Sequence, residues 1–173
     1  GDYSGNGRDD LYIFNGLDWS MSYVGMFRST GADLTMTARH DRQHPGWGGL
    51  ASHDQLIVGD FAGDGKADLL WHNLATGGVN VWLLDGPTIR AGSGQVSSLD
   101  PTQWQSDAIG DTNGDGKADI IWRNKSTGDV YVWFMSGIAL QPGSGIIGTA
   151  PVATWSIIGM ADFDGDGKND LLW

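Results

Sequence analysis

The residues best suited to chemistry lie in four short acidic loops of nearly the same sequence. The clearest example is GDTNGDGKADIIW, residues 110–122, where aspartates, an asparagine and glycines precede a short apolar run. Numbered from its first aspartate, each loop has oxygen-bearing side chains at positions 1, 5 and 9 and, with one exception, at position 3. Position 6 is always glycine, which permits a sharp turn, and position 7 is always basic and can offer its carbonyl oxygen. This pattern predicts a site for a hard cation.

The four loops supply a common set of candidate metal ligands, in which the position-7 residues contribute carbonyl oxygens. These candidates are Asp2, Ser4, Asn6, Arg8, Asp10, Asp60, Asp64, Lys66, Asp68, Asp111, Asn113, Asp115, Lys117, Asp119, Asp162, Asp164, Asp166, Lys168 and Asp170. Aspartate and glycine also form ordinary β-turns, but the candidate ligand positions of these loops hold 12 of the 21 aspartates. Without a counter-ion, three carboxylates about 4–6 Å apart would repel one another by several kcal/mol. We expect about one Ca²⁺ per loop, and prefer it to Mg²⁺ because many flexible oxygen ligands suit the larger ion.

The first half of each loop resembles an EF-hand, but the second half does not. An EF-hand needs a bidentate glutamate at position 12 and a helix on each side. Position 12 is Ile13, Trp71, Trp122 or Trp173, and the flanks QLIVGDF and ADLLWHN are typical of strands. An EF-hand and a dockerin-type helix pair are therefore excluded, and aspartate at position 9 closes the loop instead.

The loops differ in their ligand sets, which predicts an order of affinity. The loop that starts at Asp162 has the fullest set, and the next fullest has Asn113 at position 3. In the Asp60 loop position 3 is Ala62, so water is expected to substitute, and the Asp2 loop carries fewer charges. We expect Ca²⁺ affinity to fall in that order, within the roughly 10⁻⁴–10⁻³ M range of extracellular modules.

The composition fits cation binding and excludes several classes of protein. All 21 acidic residues are aspartates, against 10 lysines and arginines, and the net charge of −11 repels nucleic acid and anionic membranes. Aspartate and the 28 glycines suit turns, which argues against a helical protein. Cysteine is absent, and no apolar run approaches the roughly 18 residues of a membrane-spanning helix. We expect neither nucleic-acid binding nor membrane insertion.

A longer repeat provides the elements that position the loops. Three loops begin 51 residues apart, and most tryptophans and two Gly-Ser-Gly triplets keep the same interval. Within one unit, residues 105–111, 118–124 and 130–137 are predicted strands, and a weaker fourth lies within 144–152. The acidic loop joins the first two. Four antiparallel strands per unit of roughly 40–50 residues predict an all-β protein built from β-propeller blades.

The whole chain, residues 1–173, is predicted to be one propeller region. Its repeat units span about 2–59, 60–110, 111–161 and, in part, 162–173. They amount to about 3.4 blades, fewer than the four to eight of a closed propeller. The sequence also starts at Gly1 within a motif. We expect a processed chain or a fragment, whose remaining blades come from a longer chain or from partner copies.

The phrase D-x-[D/N]-G-D-G-x-x-D before a strand resembles the FG-GAP/VCBS repeat of integrin α-subunit propellers and of bacterial and fungal secreted propellers. NKSTGDVYVWFMSG, residues 124–137, is similar to the bacterial VCBS form, and the resemblance weakens only between Ser29 and His53. It implies calcium in the hairpin that joins the first two strands of each blade, and a secreted, extracellular protein. It also implies a carbohydrate ligand, as for fungal lectins, or a protein ligand, as for integrins.

Tryptophans are the next candidates for function. Most recur at repeat positions, which favours packing between blades, whereas Trp47 lies in a glycine-rich insertion. An exposed indole there could bind a sugar ring or a partner protein, or could simply cover a blade edge. His40 and His44 are four residues apart, but that spacing brings two metal ligands together only on a helix, which is not expected here.

No enzyme motif accompanies these features. Without cysteine or glutamate, a general acid or base would have to be aspartate or one of four histidines, and most clustered aspartates are assigned to cation loops. The sequence favours a non-enzymatic, calcium-binding module that binds carbohydrate. The alternatives are a protein-binding adhesion or scaffold module, and an accessory propeller region of a secreted enzyme that cleaves polysaccharide or peptide.

Overall fold

The computed structural model describes residues 11–14, 23–29, 34–41, 54–86 and 88–173, and the side chains within these ranges from residue 55 onward. These residues form strands and turns, with no helix among them. In this part of the chain, accordingly, no helix has the length and apolar character needed to cross a membrane.

The first described sheet has three antiparallel strands in the order β1-β2-β3. They are β1 (Leu11–Phe14), β2 (Tyr23–Ser29) and β3 (Leu34–Asp41). Successive strands pair, from Leu11 with Phe27 to Ser29 with Leu34, so the sheet is a meander of two hairpins.

The second sheet has four antiparallel strands and carries a small accessory hairpin, β7–β8. Its members are β4 (Asp54–Gly59), β5 (Asp68–Asn73), β6 (Gly78–Trp82), β7 (Leu84–Asp85), β8 (Thr88–Ile89) and β9 (Gly94–Ser98). The order β4-β5-β6-β9 is that of a propeller blade. Gly59 pairs with Asp68, so the acidic loop is the connection between the first two strands.

The third sheet repeats this layout in the order β10-β11-β12-β15, again with a short hairpin, β13–β14. Its members are β10 (Trp104–Gly110), β11 (Asp119–Asn124), β12 (Asp129–Trp133), β13 (Met135–Ser136), β14 (Ala139–Leu140) and β15 (Gly145–Thr149). A hairpin of β16 (Gly159–Ala161) and β17 (Asp170–Leu172) follows. The predicted all-β architecture with four antiparallel strands per blade is therefore confirmed in these two sheets.

One predicted strand is shorter in the structure than in the sequence pattern. Residues 130–137 read as a single strand, but β12 ends at Trp133. The backbone N–H of Phe134 donates to Ser144 Oγ (3.0 Å) and that of Met135 to Asp119 Oδ1 (3.0 Å). These two side chains take the place of a neighbouring strand, so the chain leaves the sheet and Met135 pairs with Leu140 in the accessory hairpin.

The core lies between successive sheets because each strand contributes alternate residues to opposite faces. Ile120 and Trp122 pack with Phe61 and Leu70 of the preceding sheet. Ile121, on the other face of β11, packs with residues of the following hairpin. All six residues of β11 are buried, which explains why Ile120, Ile121 and Trp122 are apolar in succession instead of alternating with polar residues.

Most of the repeated tryptophans pack as expected. Trp122 is fully buried and lies edge-on to Trp133, with ring centroids 5.0 Å apart. Trp104 is half-buried against Tyr131, with centroids 6.2 Å apart. Trp155 differs, with 52% of its surface exposed.

Candidate metal centre and cavities between the blades

The first aspartate of each described acidic loop organises the loop around its carboxylate. Asp111 Oδ1 accepts hydrogen bonds from the N–H groups of Gly114 (2.7 Å) and Asp115 (3.1 Å), and its Oδ2 accepts one from Gly116 (2.7 Å). Gly114 and Gly116 both have φ of 81°, a left-handed conformation that turns these N–H groups inward and that favours glycine. The loops at Asp60 and Asp162 repeat the three contacts.

The structure brings loop positions 1, 3 and 5 together. Asp162, Asp164 and Asp166 are all exposed, and each offers a carboxylate oxygen within 4.8 Å of the other two. This donor set contains only oxygen and carries three negative charges, which fits a hard divalent cation. In the preceding loop the position-3 residue is Asn113, whose Oδ1 accepts from the N–H of Asp115 at 2.8 Å.

The lysine at position 7 contacts the aspartate at position 5. The Lys117 N–H donates to Asp115 Oδ1 (2.9 Å), and Lys117 Nζ lies 3.4 Å from Asp115 Oδ2. Lys168 and Asp166 repeat both contacts, at 2.9 Å and 3.6 Å. The basic side chain therefore partly balances the carboxylates of its loop.

The aspartate at position 9 is bound mainly to the backbone. Asp68 is fully buried; its Oδ2 accepts from the N–H groups of Phe61 (3.0 Å) and Ala62 (3.1 Å), and its Oδ1 accepts from that of Leu84 (2.8 Å). Burial raises the pKa of Asp68 to about 6, although the bonds from Leu84 and Ala62 favour its ionised form. Position 9 thus ties the loop to the accessory hairpin, a role that the loop sequence alone does not reveal.

Asp119 has the same place in the next blade. It is buried, with Oδ1 bonded to the N–H of Met135 and Oδ2 bonded to the N–H and hydroxyl of Thr112. Burial raises the pKa of Asp119. In the last loop, Asp170 Oδ2 accepts from the N–H of Phe163 at 3.1 Å.

The Asp60 loop differs from the other two described loops. Ala62 provides no ligand, and the carboxylate of Asp64 forms an ion pair with Arg90, a residue that the sequence pattern did not single out. Lys66 Nζ lies 2.7 Å from Asp85 Oδ1, and this contact lowers the pKa of Asp85. Asp64 and Lys66, at positions 5 and 7 of this loop, are therefore already paired with charged residues outside it.

Two related cavities lie between successive sheets. The first, of about 320 Å³, is lined mainly by Ser97, Ser98, Leu99, Trp104, Trp122 and Tyr131. The second, of about 420 Å³, is lined mainly by Gly148, Thr149, Ala150, Trp155, Leu171 and Trp173. Five lining positions of the first cavity have a counterpart 51 residues later in the second, among them Trp104 with Trp155 and Trp122 with Trp173. Aromatic faces beside hydroxyl and backbone groups can bind the apolar face of a sugar ring and its hydroxyls.

Three predictions from the sequence fall on other parts of the chain. The loop at residues 2–10, with its five candidate ligands, lies outside the described residues, as do Trp47 and His44. His40 belongs to β3, where only the backbone is described.

Comparison with known proteins identifies one family. The sequence pattern of the FG-GAP-like repeat matches the chain twice, over residues 60–122 and 111–173. Each match runs from one acidic loop to the end of the strand that follows the next loop. No protein with curated annotation is significantly similar in sequence.

Two solved structures resemble the chain. One is an Agrocybe aegerita lectin that specifically recognises non-reducing terminal N-acetylglucosamine, with a TM-score of 0.68 and 20% identity over 98% of this chain and 44% of the lectin. The other is the rhamnogalacturonan lyase PL11 of Bacillus licheniformis, with a TM-score of 0.55 and 14% identity over 99% of this chain and 38% of the lyase. At these identities the likeness shows the fold alone, and the chain spans less than half the length of either protein.

Proposed function

The chain belongs to the FG-GAP-like repeat family, and on that premise we propose that it is a non-enzymatic, extracellular propeller module that is stabilised by calcium and binds carbohydrate between its blades. The observation that supports carbohydrate binding best is the cavity lined by two tryptophans and by hydroxyl or backbone groups, which recurs at the repeat interval. The ligand class of the lectin neighbour is consistent with this proposal.

Calcium would be held by the oxygens that converge in the acidic loops. In the last loop these are the carboxylates of Asp162, Asp164 and Asp166, with the carbonyl of Lys168 as the candidate fourth ligand. A bound divalent ion would offset two of the three negative charges and join the two ends of one hairpin, so that binding energy becomes folding energy. Its contribution is stability and presentation of the blade, not chemistry on a substrate.

The cavities support binding without catalysis. No aspartate, glutamate or histidine lines either described cavity, and the one lining side chain that could act as a general acid or base is Tyr131 in the first. Trp122, which lines the first cavity, has a buried indole Nε1 with no hydrogen-bond partner among the described residues. A buried N–H without an acceptor is costly, and a water molecule or a ligand oxygen would relieve that cost.

The test is a glycan array, run in Ca²⁺ and in EDTA. We expect carbohydrate binding, and expect Trp155→Ala to weaken it at least tenfold because this half-exposed ring lines the second cavity. Ser126→Ala, in an exposed turn outside both cavities, is the matched control and should bind normally. Loss of binding in Trp47→Ala but not in Trp155→Ala would place the site in the insertion instead, and contradict the proposal for the cavities.

Two alternatives have specific support. Ile146, Ile158 and Phe163 are 61%, 70% and 57% exposed, and such apolar side chains would suit a protein ligand or the next blade of a longer propeller. The lyase neighbour is consistent with an accessory region of a polysaccharide-cleaving enzyme. A protein ligand in place of glycans would favour the first alternative, and turnover of a polysaccharide by this chain alone would overturn the non-enzymatic proposal.

A further inference from the structure

The Asp60 loop and the residues beside it differ from their counterparts one repeat later at three positions that bear on cation binding, one by a ligand and two by a charge. One repeat later, the positions of Ala62, Asp85 and Arg90 hold Asn113, Ser136 and Gln141. The Asp60 loop has therefore lost a metal ligand and gained a cation and an additional anion. These changes lie far apart in the sequence but meet in the structure.

Arg90 is held against the loop by its own backbone. Its N–H donates to the carbonyl of Leu83 (2.8 Å), and its carbonyl accepts from Ser93 Oγ (2.8 Å). From this position its guanidinium reaches across to the carboxylate of Asp64, at loop position 5. The Arg90 side chain is 40% exposed and that of Asp64 is 30% exposed, so the pair is partly shielded from water.

Gln141 occupies the same backbone frame in the next blade. Its N–H donates to the carbonyl of Phe134 (2.8 Å), and its carbonyl accepts from Ser144 Oγ (2.8 Å). Its side chain, however, donates to the carbonyl of Ala139 (3.3 Å) and carries no charge. The two blades thus form a matched pair that differs mainly in the cation beside the loop.

The loss of a ligand has not changed the shape of the Asp60 loop. Asp60 accepts from the N–H groups of Gly63 (2.7 Å), Asp64 (3.2 Å) and Gly65 (2.7 Å). The corresponding distances around Asp111 are 2.7, 3.1 and 2.7 Å. Lys66 is directed to Asp85 instead of to Asp64, which leaves the position-5 carboxylate to Arg90.

We propose that Arg90 is a resident cation of the Asp60 loop, which closes this hairpin without a divalent ion. The inference rests on the proposed calcium binding of the neighbouring loops. An ion in the Asp162 loop would offset carboxylates at positions 1, 3 and 5, and one in the Asp111 loop would offset those at positions 1 and 5. In the Asp60 loop, one of the two carboxylates at positions 1 and 5 is already paired. A fixed guanidinium also repels an incoming divalent cation. The number of ions per chain is then lower than one per acidic loop.

The test exchanges the two loop types in the full chain and counts bound Ca²⁺ by calorimetry and native mass spectrometry. Ala62→Asn with Arg90→Gln converts the Asp60 loop to the type of its neighbour, and we expect one additional ion per chain. Asn113→Ala with Gln141→Arg performs the reverse exchange, and we expect one ion fewer. Arg90→Lys keeps the charge and should leave the count unchanged.

A second readout does not depend on metal. In EDTA, Arg90→Gln should lower the melting temperature, because Asp60 and Asp64 lose their counter-ion, while Arg90→Lys should retain most of it. An unchanged ion count in both exchanges, together with an unchanged melting temperature in Arg90→Gln, would overturn the inference. If the unaltered chain binds no Ca²⁺ at all, the calcium proposal fails, and a lower melting temperature for Arg90→Gln in EDTA would still support the role of Arg90.

Discussion

The backbone N–H of Ala118 donates a hydrogen bond of 2.7 Å to the carbonyl oxygen of Asp60, so the acidic loop of one blade is joined directly to the acidic loop of the next. Asn169 and Asp111 repeat this bond at 2.6 Å. In these two loops position 8 is thus bonded to position 1 of the preceding loop. An ion that stiffens one loop would therefore also fix one side of the joint with its neighbour.

The first prediction separates ion binding from loop structure at Asp111. Asp111→Ala removes a candidate ligand and also the acceptor for three backbone N–H groups. In EDTA we expect the free energy of unfolding to fall by about 1–3 kcal/mol, because hydrogen bonds to a carboxylate are lost. Urea denaturation measures this change.

Asp115→Ala is the matched variant for that experiment. Asp115 is exposed, and the backbone donor recorded for its carboxylate is Lys117 N–H. In EDTA we expect a loss of less than about 0.5 kcal/mol, whereas in Ca²⁺ both variants should lack the stabilisation that the unaltered chain gains. Equal losses for the two variants in EDTA would contradict the assigned role of Asp111.

The second prediction concerns the close approach of blades at Gly59. A Cβ atom at this position would lie 2.9 Å from both Ala118 Cβ and Ile109 Cγ2, which belong to the next blade. Gly59→Ala should destabilise the protein by about 1–3 kcal/mol through overpacking, measured by thermal or urea unfolding. Gly148→Ala is the control, since no atom lies within 4 Å of the added methyl group. A neutral Gly59→Ala would show that the blades can separate without cost.

The third prediction is a pH dependence that arises from Asp68. Its pKa rises from 3.8 to about 6 on folding because the side chain is buried near Asp60 and Asp64. Between pH 4 and 6 the native state therefore holds a proton that the unfolded chain has released. The free energy of unfolding in EDTA should fall as pH rises through this window and stay lower above it.

Asp68→Asn isolates this contribution, because an amide does not titrate. Burial also raises the pKa values of Asp107 and Asp119, so both proteins should lose some stability over the same range. The decline should be smaller in the variant. Denaturation midpoints at pH 4, 5, 6 and 7 measure the decline in both proteins. Parallel curves for the unaltered chain and the variant would contradict the prediction, because they would mean that Asp68 is ionised throughout.

The fourth prediction assigns a role to the Gly-Ser-Gly triplet. Ser144 Oγ accepts from the N–H of Phe134 (3.0 Å) and donates to the carbonyl of Gln141 (2.8 Å), where β12 leaves the sheet. Ser144→Ala should cost about 1 kcal/mol, since the Phe134 N–H loses its acceptor in a half-buried position. Ser126→Ala should be neutral in the same denaturation experiment, and an equal cost for both would refute this role of the triplet.

Much of the blade could be predicted because its signals are local. The strand after the acidic loop carries an apolar run that ends in tryptophan, LLW or IIW, and the loop itself is one contiguous sequence motif. The fourth strand was harder to place because β15 is an edge strand in which every residue except Gly145 is exposed. A strand that buries little has no reason to alternate between apolar and polar residues.

The remaining features depend on contacts between distant residues. Strands of two residues, such as Met135–Ser136, are too short to show a period, so 130–137 read as one strand. Arg90 is 26 residues from Asp64 and lies outside the acidic loop, so the loop sequence does not predict their contact. Ala62 marked the Asp60 loop as unusual, but the side chain that compensates becomes visible only when the accessory hairpin is folded beside the loop.

The bond from Ala118 to Asp60 joins two successive units, and a unit of this kind supplies both halves of the joint: its position 1 offers the acceptor to the next copy, and its position 8 offers the donor to the previous one. A gene segment that encodes one such unit could be duplicated in tandem, and the new copy would fit between its parents without a newly evolved contact. Arrays of this kind can lengthen or shorten by whole units, while drift within a single copy, as at Ala62 and Arg90, gives that copy a specialised character.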